Sequence, residues 1–101
     1  MPICNNKRYE NEFVNMMVAQ GHHCERVAGS GKGTHSVCDC ILFKEGKVYL
    51  VEVKATKEEN LRNRAETREQ LDRMQEVAKK QGVECILAIK YKGKCWKILS
   101  I

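Results

Sequence analysis

No apolar run in the chain approaches the ~18 residues that cross a bilayer, which sets a membrane-spanning helix aside. The opening residues Met1 to Arg8 lead into no apolar segment of the signal-peptide kind, so secretion is not expected. Internal repeats, low-complexity tracts and linkers are also missing. Aromatic residues make up only 6% of the chain, too few for a platform on which bases could stack. Among six cysteines there is no Cys-x-x-Cys pair. With no leader, a reducing, cytoplasmic compartment and free thiols are the better reading than a disulfide framework. Cys24, Cys38, Cys40, Cys85 and Cys95 stand among apolar or β-prone residues, where a thiol packs as a small hydrophobe. His22, His23 and Cys24 with Cys38 and Cys40 offer zinc-binding side chains, but their spacing matches no common finger or ribbon.

What is present describes one domain over residues 1–101. Hydrophobic content of 43% and charged content of 31% suit a globular protein, and 101 residues leave room for a single core. Net charge is +5, and it is uneven: the last 23 residues carry six basic groups against one acid. That excess is compatible with a polyanionic partner without requiring one.

Hydrophobic periodicity supplies the elements. Tyr9, Phe13, Met16 and Met17 repeat at helical spacing from Arg8 to Gln20, and Gly21 stops the helix. His23 to Ala28 reads as a short strand, and residues 29–36 as a glycine-rich loop. Val37 to Lys44 and Lys47 to Lys54 are β-rich runs joined by a tight turn at Glu45-Gly46. Residues 55–66 form a charged connection. Thr67-Arg68-Glu69-Gln70 has the spacing of a capping box, followed by Leu71, Met74, Val77 and Ala78 at helical period up to Gly82. Val83 to Lys90 and Lys94 to Ile101 are two further strands. One helix between the third and fourth strands permits a crossover, so an α/β fold with a mixed five-stranded sheet flanked by helices is expected.

The chemistry concentrates around Cys38-Asp39-Cys40 and Glu52-Val53-Lys54. Strand alternation turns Glu52 and Lys54 to one side and Val51 and Val53 to the other. Across the Glu45-Gly46 hairpin, Asp39 falls roughly opposite Glu52. Cys38 and Cys40, alternating with Asp39, are expected to turn together into the core. Two carboxylates and a lysine thus meet in apolar sequence, where an uncompensated acid costs several kcal/mol (order of magnitude). Oxygen ligands of this kind suit Mg²⁺, with Mn²⁺ as a substitute.

Asp39, followed after thirteen residues by Glu52-Val53-Lys54, resembles the Asp…(Asp/Glu)-x-Lys signature of the PD-(D/E)XK nucleases. Within that superfamily the chain resembles the archaeal-type Holliday junction resolvases from about Lys7 to Ile98. Glu10 stands where their first helix carries a glutamate, with Gly21 eleven and Arg26 sixteen residues on. Val27 to Gly31, Tyr49 to Lys54, Arg68-Glu69-Gln70 and Cys85 to Lys90 resemble further stretches of the family. Asn11 stands where an arginine is usual, and Val77 and Gln81 replace aromatic residues of the second helix. The C-terminal extension of most members is not expected here.

The resemblance implies an α-β-β-β-α-β nuclease core and metal-assisted hydrolysis of DNA phosphodiesters at four-way junctions. It implies that Asp39, Glu52 and the Val53 carbonyl hold a divalent metal and that Glu10 completes the site. Lys54 would orient water or stabilise charge on the phosphate, and Ser30 would position the phosphate. Backbone contacts to DNA are expected from Lys7, Arg8, Arg26, Lys32, Lys57, Arg62, Arg64, Arg68 and Lys90. Recognition should then be of shape, not of base sequence. A junction is cut on two symmetry-related strands and this chain offers one site, so a homodimer is expected. The competing readings are a nuclease of the same core acting on other DNA structures, a non-catalytic DNA-binding relative, and a zinc–thiol module.

Overall fold

The computed structural model describes residues 6–27, 37–56, 65–91, 93 and 95–101. Helix α1 (Asn6–Ala19) is followed by strands β1 (His23–Arg26), β2 (Cys40–Lys44) and β3 (Lys47–Thr56). Helix α2 (Ala65–Gln81) then leads to β4 (Glu84–Tyr91) and β5 (Trp96–Ser100). The strands lie in the order β1-β2-β3-β4-β5. All neighbours are antiparallel except β3 and β4, whose parallel pairing needs the crossover that α2 provides. This is the expected α/β arrangement.

Helix α1 buries Glu10, Phe13 and Met17, spaced three and four apart, against the sheet. It ends where Gly21 takes φ +93°. That lets the His22 amide donate to the Met17 carbonyl at 3.1 Å and the Gly21 amide to Val18 at 3.0 Å. The pattern satisfies carbonyls the helix end would leave open. At the β2–β3 turn both Glu45 (φ 51°) and Gly46 (φ 80°) are left-handed, as a two-residue hairpin requires.

Two apolar layers sandwich the sheet. On one side Phe13 and Met17 pack on Cys24, Cys40, Leu42, Val51, Val53, Ile86 and Ala88. On the other, Leu71, Met74 and Ala78 of α2 pack on Cys38, Cys85, Leu87 and Ile89. Residues 85–89 of β4 are buried on both faces, as a strand with a parallel neighbour and helices on both sides should be.

Several boundaries differ from expectation. Within the described residues α2 already runs at Ala65, so Thr67 lies inside it and is not its cap. Regular β2 begins at Cys40, not Val37, because the chain bends at Asp39. For the same reason Cys38 and Cys40, expected on one face, enter opposite layers. β1 ends at Arg26, β3 continues to Thr56, and β5 starts at Trp96. Cys95, just before β5, is exposed and not core. The other described cysteines are buried free thiols; burial pushes Cys38 up to about 11, and contact with the Cys24 thiol and burial raise Cys40. Cys38 and Cys40 are thereby kept protonated and unreactive at neutral pH.

Candidate active site

Three elements deliver four side chains to one end of the β2–β3 pair. Glu10 comes from the first turns of α1, Asp39 from the bend before β2, and Glu52 and Lys54 from one side of β3. The bend does not break the ladder. The Asp39 amide donates to the Val51 carbonyl at 2.9 Å, and the Val27 amide to the Asp39 carbonyl at 2.9 Å. The Asp39 side chain is fixed as well: its Oδ2 accepts the Val53 amide at 2.9 Å. Glu10 and Glu52 are each only 7% exposed.

The charges follow from this placement. Burial, and then the neighbouring Asp39 charge, push the Glu52 carboxyl up to about 7, against the pull of Lys54. Lys54 Nζ lies 3.2 Å from Glu52 Oε2. Glu10 is raised for the same two reasons, burial first and Asp39 second, with Arg26 and Lys54 opposing. Arg26 Nε lies 3.2 Å from Glu10 Oε1, and its Nη1 donates to Asn11 Oδ1 at 3.3 Å. The Asp39 charge thus disfavours the charged forms of Glu10 and Glu52 in a partly dry pocket, and Arg26 and Lys54 oppose it.

That chemistry fits a divalent cation, since hard carboxylate oxygens with surplus negative charge are its usual ligands. Among the described residues, however, no three His, Cys, Asp or Glu side chains gather closely enough to cage an ion by themselves. The zinc grouping is also dispersed. His23 points outward, its Nε2 2.6 Å from Glu25 Oε2 and its ring edge-on to Phe43, while Cys24 and Cys40 are inside the core.

The remaining candidates are scattered. Lys7, Arg8 and Arg68 are exposed, with Arg8 5.6 Å from the centre of the Tyr9 ring. Lys90 is engaged by other groups, 3.4 Å from Glu12 Oε1 and 5.9 Å from the centre of the Trp96 ring. Ser30, Lys32, Lys57, Arg62 and Arg64 lie outside the described residues. Sequence reading missed two contacts. One is the Arg26–Glu10 pair, which the need of a buried acid for a cation could have suggested. The other is the bond from Trp96 Nε1 to Glu12 Oε1 at 3.0 Å, signalled only by a lone indole in a strand that must find an acceptor.

The order α-β-β-β-α-β-β, with acids and a lysine at the end of the β2–β3 pair, matches the α/β nuclease core that the sequence resemblance implies. The archaeal Holliday junction resolvase (Hjc) family matches residues 5–101, and the chain belongs to that family. Its fold is similar to that of Hjc from Archaeoglobus fulgidus, a Holliday junction resolvase from an archaeal hyperthermophile. The two are 30% identical with a TM-score of 0.73, over 92% of this chain and 73% of that one. No curated protein matches the chain. The protein is therefore a DNA endonuclease of the junction-resolving kind, with branched DNA as its partner. Nucleases of this family generally use divalent metal ions.

Proposed function

We propose that the chain resolves four-way junctions by Mg²⁺-dependent phosphodiester hydrolysis, with Mn²⁺ as a substitute, and that Glu10, Asp39, Glu52 and the Val53 carbonyl hold the ion. The observation that carries this reading is the grouping itself: two buried acids, each raised by burial and by the Asp39 charge, with Lys54 beside Glu52. A bound divalent ion supplies charge to polarise the scissile phosphate and to acidify a water.

The chain's own residues do the rest. The Val53 amide holds the Asp39 carboxylate in one orientation, so the acid needs no rearrangement when it acts. Lys54, with its side chain 20% exposed, can turn its ammonium from Glu52 toward charge developing on the phosphate. Ser30 positions the phosphate from the loop. Lys7, Arg8, Arg26, Lys32, Lys57, Arg62, Arg64, Arg68 and Lys90 supply backbone contacts. One domain spanning residues 1–101 carries one site, so a homodimer makes the paired cuts. Buried free thiols are consistent with a reducing, cytoplasmic setting.

The test is cleavage of a four-way junction and of linear duplex with the same sequence, with Mg²⁺ and with EDTA. Junction-selective, EDTA-sensitive cutting is expected. Equal rates on both substrates would favour a nuclease for other DNA structures. Asp39→Asn should abolish cleavage and leave junction binding largely intact; a variant cutting at the native rate would remove Asp39 from the metal set.

A further inference from the structure

Glu10 already has a partner of opposite charge. Its carboxylate is almost fully buried, and an acid in that position must be compensated. The compensation comes from β1: Arg26 Nε stands 3.2 Å from Oε1, in a side chain that is itself only 31% exposed. The contact is one of charge more than of direction, because among the described residues the buried Nε–H is not aligned on an acceptor. What steadies the guanidinium is its other arm, where Nη1 reaches Asn11 Oδ1 at 3.3 Å, one residue after Glu10 on the same helix. The neighbouring acid is arranged likewise, with Lys54 on Glu52. Both buried carboxylates face the chain's own cations, and among the described residues the acids do not close into a cage.

We infer that Arg26, steadied by Asn11, is a resident counter-ion of Glu10 that competes with the divalent metal for that carboxylate. The inference rests on the metal reading of the site and adds to it how the ion-free site is kept stable. A carboxylate cannot hold a guanidinium and a divalent ion at full strength together, since the two cations repel at contact distance. A charge contact without an aligned hydrogen bond is also one that an incoming ion can displace.

The test is calorimetric titration of the full chain with Mn²⁺, without DNA, at one neutral pH. Arg26→Gln should bind Mn²⁺ roughly five- to tenfold more tightly than the native chain. Arg26→Lys, which keeps the charge, should stay near the native affinity. Asn11→Ala, which frees the guanidinium without removing it, should tighten binding by roughly twofold. Unchanged or weaker binding in folded Arg26→Gln overturns the inference, as does Arg26→Lys binding as tightly as Arg26→Gln. If Arg26→Gln does not fold, Asn11→Ala decides: tighter binding supports competition, and unchanged or weaker binding overturns it. Asp39→Asn separates the two levels. Native Mn²⁺ binding indifferent to Asp39→Asn would overturn the metal reading and this inference with it. Binding that depends on Asp39 but not on Arg26 overturns the inference alone.

Discussion

Glu52 carries its charge where the protein supports it least. Burial and the Asp39 charge raise it from an ordinary carboxylate value to about 7, even with Lys54 at 3.2 Å. The native state therefore holds a proton that the unfolded chain has already lost between pH ~4.5 and ~7. Stability should fall as pH rises through that window and level off above it, because the folded state binds more protons there. Removing the charge with Glu52→Gln should shrink this decline to the share that the raised Glu10 carboxyl contributes, and stabilise the metal-free protein at pH ~8 by on the order of 2 kcal/mol. Denaturant unfolding at acidic and alkaline pH measures it, and a Glu52→Gln variant whose stability falls like the native chain's would refute the assignment. At this scale the sequence was half legible. Glu10, Asp39, Glu52 and Lys54 stand out as polar residues in apolar settings or at motif spacing. That Arg26 reaches Glu10 depends on β1 lying beside α1, and no spacing between residues 10 and 26 conveys that.

At the scale of elements, what terminates a segment matters as much as what propagates it. Gly21 ends α1 with φ +93° and nothing within 4 Å of where a Cβ would lie, so any cost of a side chain there is backbone strain alone. Gly21→Ala should lower stability by about 1 kcal/mol without altering the core, read as a shift in the denaturant midpoint at constant slope. An unchanged midpoint would mean that the turn relaxes. Helix and strand types were readable from period, since Phe13 and Met17, or Leu71, Met74 and Ala78, can share a face only in a helix. The ends were less so. Thr67-x-x-Gln70 has a cap's spacing, but three residues apart is also ordinary spacing along a continuing helix, and α2 runs through it. Cys38-Asp39-Cys40 alternates like a strand, yet the bend at Asp39 sends the two thiols into opposite layers. That same bend turns the Asp39 carboxylate to the Val53 amide.

For the whole molecule, charge is the quantity that reaches the partner. With Glu10, Asp39 and Glu52 proposed as metal ligands, the modest net charge of +5 understates how basic the remaining surface would be. Binding to a four-way junction should weaken steeply with salt. The exposed pair Lys7 and Arg8, both changed to Ala, should reduce the log–log slope by up to about 0.9 per lost phosphate contact. Fluorescence anisotropy at several salt concentrations tests this, and an unaltered slope would place both residues off the DNA. Lys90 is a poorer candidate for the same experiment, because Glu12 and Trp96 already engage it. The sequence by itself determined the class of fold, the order of helices and strands, and that Asp39, Glu52 and Lys54 meet, because side-chain period and hairpin register are local consequences of covalent geometry. Tertiary structure alone decided which cations those acids face, how the thiols divide between the layers, and how far Glu52 is driven from its usual ionisation. Those depend on burial and on distances between segments far apart in the chain, and both exist only once α1, β1 and the β2–β3 hairpin are packed together.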